Sequence, residues 1–130
     1  MKIVYAATPK ISISCLEKLF NSSHELSLVL TMPDKPSGRG KKLIPGPIKK
    51  YCIENSLPFI QPENLNNSEL ENKLKEIAPD LLIVFAYGKI IPKKIFELPT
   101  HGSINIHTSL LPSYRGAAPI QRAIINGEKS

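Results

Sequence analysis

Leu81-Leu82-Ile83-Val84-Phe85-Ala86 is the most apolar run in the chain. It offers water no polar face, so it predicts a central strand buried on both sides. Strands of that kind belong to parallel sheets with helices packed on each face. Pro79 ends the segment before it, and Tyr87-Gly88 follow at its C-terminal end. Working outward, strand-like and helix-like patterns alternate. Residues 2–7 (KIVYAA) predict a first strand, stopped by Thr8-Pro9. Residues 10–20 set Ile13, Leu16 and Leu19-Phe20 at helical spacing. Residues 26–31 (LSLVLT) predict a second strand, completing a βαβ unit.

Further along, Pro47 opens a helix with Ile48, Tyr51 and Cys52 on one face. Residues 57–60 (LPFI) predict a short extended piece. Ser68-x-x-Glu71 forms a capping-box pattern ahead of Leu70, Leu74 and Ile77. Residues 89–98 predict a short helix, 103–107 a strand, and Pro119 starts a helix that Asn126-Gly127 ends. The alternation predicts an open, mostly parallel, Rossmann-like α/β sheet with helices on both faces. No G-x-G-x-x-G follows the first strand, so the dinucleotide fingerprint is missing. Ligands of open α/β sheets sit outside the C-terminal ends of the strands. That rule gathers Thr8-Pro9, Tyr87-Gly88, Asn105–Pro112 and the segment 32–47 at one edge.

Composition narrows the function classes. One domain is the expectation for 130 residues. No apolar run reaches the length of a membrane span, and the N-terminal run is too short for a secretory signal. Cys15 and Cys52 have no C-x-x-C spacing, so neither a metal cage nor a disulfide framework is supported, and free buried thiols suit a reducing cytoplasm.

The net charge of +6 is localised. Residues 1–34 balance three basic against three acidic side chains, and residues 51–130 balance eight against eight. The whole excess lies in Lys35, Arg39, Lys41, Lys42, Lys49 and Lys50. A local basic patch implies an anionic partner, nucleic acid or phosphate first; a solvated loop is the alternative. Segment 32–47 (MPDKPSGRGKKLIPGP) holds four prolines and three glycines, which predicts a loop without regular structure. A loop of that length in a compact domain is usually functional or disordered.

The chemistry concentrates in Asn105-Ile106-His107-Thr108-Ser109-Leu110-Leu111-Pro112. On a strand, residues i and i+2 share a face, so Asn105 and His107 project side by side. Histidine exchanges protons near neutral pH, and an amide can donate to an oxygen that gains negative charge. The pair suits acyl or proton transfer; a polar strand end with a satisfied histidine is the alternative that spacing leaves open.

Asn105-Ile106-His107 with Ser109–Pro112 resembles the formyltransferase family that uses 10-formyltetrahydrofolate. Ser109–Gln121 (SLLPSYRGAAPIQ) and Met32–Leu43 (MPDKPSGRGKKL) are similar, within it, to the methionyl-tRNA formyltransferases. The likeness runs from the first strand to Gly127. It implies transfer of a formyl group from 10-formyltetrahydrofolate to the amino group of methionyl initiator tRNA, in the cytoplasm, without a metal and away from membranes, by an enzyme expected to be monomeric when intact. It implies catalytic roles for Asn105, as donor to the formyl oxygen, and for His107, in proton movement. Ser109, Leu110, Leu111 and Pro112 would line the folate site, and Phe85, Ala86, Tyr87 and Gly88 would flank the pterin. Arg39, Lys41 and Lys42 would reach the tRNA.

The sequence departs from the family pattern at Ala7, where glycine is usual, and at Thr108, where a smaller residue is usual. The family also places an aspartate about thirty-five residues beyond the histidine. The chain stops at Ser130. Residues 1–130 are therefore expected to form the N-terminal part of the catalytic domain, without the C-terminal β-barrel and with little or no activity alone. Rival functions are formyl transfer to a small amine, such as glycinamide ribonucleotide or an amino sugar, and a non-catalytic remnant.

Overall fold

The computed structural model describes residues 1–37, 40 and 42–107. Its centre is a five-stranded parallel sheet. The elements in chain order are β1 (Lys2–Ala7), a 3₁₀ turn (Lys10–Ser12), α1 (Ile13–Phe20), β2 (Glu25–Leu30), β3 (Lys35–Ser37), β4 (Lys42–Ile44), α2 (Pro47–Glu54), β5 (Phe59–Ile60), α3 (Ser68–Ile77), β6 (Leu81–Phe85), α4 (Lys93–Phe96) and β7 (Ser103–Ile106). The sheet order is β5-β2-β1-β6-β7. The chain builds outward from β1 through β2 to β5, then crosses back to β6 and builds the other way. The order reverses between β1 and β6, which is the switch point where such sheets form a crevice.

The reversal also sorts the helices. Right-handed crossovers in opposite directions cover opposite faces. One core joins Ile3, Tyr5, Ala7, Val29, Ile83 and Phe85 to Leu16 of α1 and to Ile48 and Cys52 of α2. The other joins Val4, Ala6, Leu28, Leu30, Leu82 and Val84 to Leu70 and Leu74 of α3 and Ile95 of α4. Strand residues alternate between the two cores as the pleat requires. The apolar run 81–86 is interior to the sheet as its sequence predicts, although β1 holds the middle place. The methyl of Ala7 is fully buried in the first core, and the β1 ladder stays regular there, pairing Ala7 with Phe85.

Two buried hydroxyls are satisfied locally. The Tyr5 hydroxyl donates to the Ser12 carbonyl at 2.8 Å, tying β1 to the turn ahead of α1. The Ser103 hydroxyl donates to the Phe96 carbonyl at 2.6 Å, tying β7 to α4. Burial pushes the Cys52 thiol up to about 11, so it stays protonated; Cys15 is half-buried rather than buried, and both thiols are free. None of the helices among the described residues is long and apolar enough to cross a membrane.

Two local expectations are corrected. Segment 32–47 is not without regular structure: β3 and β4 pair antiparallel, Lys35 with Ile44 and Ser37 with Lys42. Both strands of a two-stranded ribbon have an open side, so Pro36 can sit in β3 without breaking a ladder bond. Gly40, at φ +82°, supplies the left-handed residue of the connecting turn. The α3 cap is Asn67, not Ser68; its side chain accepts from the Leu70 amide at 2.9 Å. Glu71 has no capping role and instead pairs with Lys75 and Lys94.

The ribbon is rooted by an ion pair. Asp34 meets Lys49 of α2 at 2.8 Å and accepts from the Gln61 amide, beyond β5, at 2.7 Å. Lys49 is thus neutralised locally, which removes it from the free basic patch. The Lys49 and Gln61 hydrogen bonds hold the Asp34 carboxyl below the usual carboxylate range. A lowered folded-state value stabilises the fold above the ordinary value of about 4, and that contribution disappears as pH falls through the folded value. Thermal melts below pH 4 should therefore show an acid-side loss of stability that Asp34→Asn flattens, the variant being the less stable protein at neutral pH. Superimposable pH profiles would mean the pair does not root the ribbon.

Candidate functional site

β6 and β7 run in register, with Val84 beside Asn105. Both therefore point to the face covered by α3 and α4. Past the strand ends on that side lies a cavity of about 770 Å³. Val84, Ala86, Tyr87, Gly88, Ile91 and Phe96 form its walls, and Lys89, Ile90, Lys93 and Glu97 its rim. Asn105 and His107 both line it. β7 ends at Ile106, so His107 stands one residue beyond the strand, exposed, while Asn105 is held half-buried on the sheet. The spacing of two puts amide and imidazole on the same cavity, as the sequence predicts from strand geometry.

The chain leaves β6 through an unusual turn. Ala86 has φ +52° and Gly88 φ +106°. A left-handed alanine costs roughly 1–2 kcal/mol, and outliers of this kind concentrate at functional sites. The turn throws the Tyr87 ring inward, 1% exposed, against Ile95 and its neighbours. A side chain at Gly88 would be strained by the backbone, and its Cβ would stand 3.4 Å from Met32 Cγ. The Tyr87 carbonyl accepts from the Thr8 hydroxyl. The Tyr87 hydroxyl is buried without a hydrogen-bond partner, and burial pushes its ionisation up to about 12.

Of the residues singled out from sequence, Asn105, His107, Ala86, Tyr87 and Gly88 come together here. Phe85 does not. It lies one residue out of phase with Val84, so the pleat sends its ring into the α1–α2 core on the opposite face. Lys42 lies on β4, exposed, and belongs to the ribbon rather than the cavity. Ser109, Leu110, Leu111 and Pro112, together with Arg39, Lys41 and the helix after Pro119, lie outside the described residues. Among the described residues no three His, Cys, Asp or Glu side chains group as metal ligands.

Sequence reasoning missed Val84, at the end of β6, and Lys89, Ile90, Ile91, Lys93, Phe96 and Glu97 beyond it, more than half of the lining. A signal was available: all but Val84 sit on the segment that follows β6, whose C-terminal end faces the crevice. Of the other carboxylates, Asp80 lies before β6, at the opposite end of the sheet, and accepts from the Lys2 amide at 2.7 Å. Asp34 follows β2 but is engaged by Lys49 and Gln61.

The model of the Formyl transferase family matches residues 1–130. A methionyl-tRNA formyltransferase of Alkaliphilus oremlandii (strain OhILAs) is 51% identical over 129 residues, 99% of this chain and 42% of its own length. The chain thus spans less than half the length of such relatives. Among solved structures, glycinamide ribonucleotide transformylase 1 from Geobacillus kaustophilus superposes with a TM-score of 0.58 at 18% identity, covering 97% of this chain and 67% of its own. A formyltetrahydrofolate deformylase from Pseudomonas syringae pv. tomato str. DC3000 superposes at 0.57 with 19% identity, covering 97% and 41%. At such identities the structural matches show a shared fold.

Among the described residues, two buried tyrosines make opposite predictions. Tyr5→Phe removes a hydroxyl that bonds the Ser12 carbonyl, and should cost about 1 kcal/mol. Tyr87→Phe removes a hydroxyl without a partner and should be neutral or stabilising by about 1 kcal/mol. Urea unfolding of both variants checks this, and a Tyr87→Phe protein weaker than Tyr5→Phe would refute it.

Proposed function

This chain belongs to the formyl transferase family, and from that premise we propose that its cavity serves formyl transfer from 10-formyltetrahydrofolate to the amine of methionyl initiator tRNA. The observation that carries the proposal is that Asn105 and His107, from one strand end, open onto one cavity at the C-terminal sheet edge. The cavity suits the donor. Its volume is within the range of small-molecule sites, and its walls are largely apolar, with Ala86 and Gly88 exposed at one end. Val84, Ile91 and Phe96 would pack against the ring system, with main-chain groups of Ala86–Gly88 at its polar edge. Ser109–Pro112 begin two residues beyond His107 in the sequence and would complete the lining. Bound there, 10-formyltetrahydrofolate supplies the formyl group.

Asn105 provides an amide N–H, held on a rigid strand, for the carbonyl oxygen that gains negative charge. A preorganised donor of this kind is worth roughly 3 kcal/mol in acyl-transfer sites. His107 takes the proton that the attacking amine must lose and holds it on the imidazole for return to the departing nitrogen. Its exposed place at the cavity mouth leaves the acceptor amine a route to it.

The acceptor is argued from charge. With Lys49 bound to Asp34, the patch leaves Lys35 and Lys42 exposed on the ribbon and Lys50 exposed on α2, and Arg39 and Lys41 fall between β3 and β4 in the sequence. A ribbon this basic suits the phosphates of an RNA end, and arginine can stack on or pair with an exposed base. The 51% identity to a methionyl-tRNA formyltransferase supports the same acceptor. A small-amine enzyme has no use for such a ribbon.

In the enzyme carrying this sequence, Asn105→Ala and His107→Ala should each slow single-turnover formylation about a hundredfold or more, with donor affinity within a few-fold of the parent. Rates within a few-fold of the parent would dismiss both roles. Arg39→Ala with Lys41→Ala should raise KM for charged tRNA about tenfold or more, since phosphate contacts dominate such affinity, and leave the folate KM alone. Unchanged use of tRNA, or formylation of glycinamide ribonucleotide in its place, would shift the assignment to a small amine.

A further inference from the structure

We propose that Thr8 is a positioning residue, whose hydroxyl sets the wall of the Asn105–His107 cavity by tying the turn after β6 to the exits of β1 and β2. Its functional consequence rests on the formyl-donor assignment of that cavity. Thr8 does not line the cavity. It stands just beyond β1, at the switch point of the sheet. Its Oγ1 donates to the Tyr87 carbonyl at 2.5 Å and accepts from the Met32 amide at 3.4 Å. One hydroxyl thus spends its donor on the exit of β6 and an acceptor lone pair on the exit of β2.

The turn it holds needs holding. With Ala86 and Gly88 both at positive φ, the 86–88 conformation persists only where its surroundings over-determine it. Among the described residues the other ties are slight. Lys89 Nζ donates to the Glu63 carbonyl from an exposed, flexible chain, and the Met32 side chain packs under Gly88 without a polar bond. Among the described residues, Thr8 alone bonds the main chain of the turn. The Met32 amide it holds begins the segment that leads through Asp34 into the basic ribbon, so one hydroxyl roots the cavity wall and the ribbon together. The requirement is for a β-hydroxyl, which serine also supplies; valine keeps the shape and lacks it.

The test compares the parent, Thr8→Val and Thr8→Ser in the 130-residue chain. Amide hydrogen exchange is read by NMR, 10-formyltetrahydrofolate binding by calorimetry, and global stability by urea unfolding. The expected result for Thr8→Val is exchange about tenfold faster at Met32 and across 86–89, and about tenfold weaker donor binding, with unfolding midpoints close to the parent; Thr8→Ser restores both. Unaltered exchange and affinity in Thr8→Val would overturn the proposal. So would a loss that serine does not restore, or one that tracks a global fall in stability, since those mark bulk packing. Should the parent chain not bind the donor, the functional assignment of the cavity fails, and the exchange pattern alone decides whether Thr8 holds the wall.

Discussion

The pairing of β1 with β6 is the constraint from which the rest of the molecule follows. Both strands are apolar along their length, and both need cover on two faces. Meeting that need from a single chain requires two helices on each side and a reversal of winding direction between them. The reversal leaves a crevice where the β1 and β6 exits part. Thr8, Met32 and Tyr87 are brought together there. The Asn105–His107 cavity lies beside that crevice, walled by the end of β6, the segment through α4 and the end of β7.

The polar features divide the labour around that crevice. Asn105 is held on the sheet by the ladder that sets it beside Val84. His107 stands where the ladder has ended and is open to solvent. That contrast suits an oxygen-binding group that must not move and a proton-handling group that must meet a second reactant. The ribbon is a separate appendage, exposed at Leu43 and Ile44 as well as at its lysines, and rooted by Asp34, Lys49 and Gln61. The ribbon's positive charge therefore lies apart from the cavity, whose own rim carries Lys89, Lys93 and Glu97.

Much of this was legible in the sequence, for identifiable reasons. Long apolar runs with β-branched residues gave β1, β2 and β6, because burial on two faces leaves no ambiguity of period. The i, i+2 spacing of Asn105 and His107 placed them on one cavity. The same pleat rule, left unapplied to 85–88, would have shown that Phe85 faces away. The ribbon was hidden because proline and glycine mark turns strongly, and a two-stranded ribbon tolerates both. Asn67 was overlooked as a cap because Ser68 and Glu71 fit a better-known pattern one residue on. The Lys49–Asp34 pair could not be read from one element, since its partners are fifteen residues apart and joined only by tertiary packing. The left-handed Ala86 had no sequence signal at all, for alanine is a poor candidate for that conformation.

The central claim is that the cavity beneath Asn105 and His107 holds the formyl donor in reach of both. A crystal structure of the protein bound to 10-formyltetrahydrofolate tests it most directly. The account predicts the ring system between the 86–88 turn and the Ile91–Phe96 wall, with the formyl oxygen at hydrogen-bond distance from the Asn105 amide and His107 on the side where the amine approaches. A donor seated elsewhere, or in the cavity with its formyl group turned away from Asn105, would contradict it.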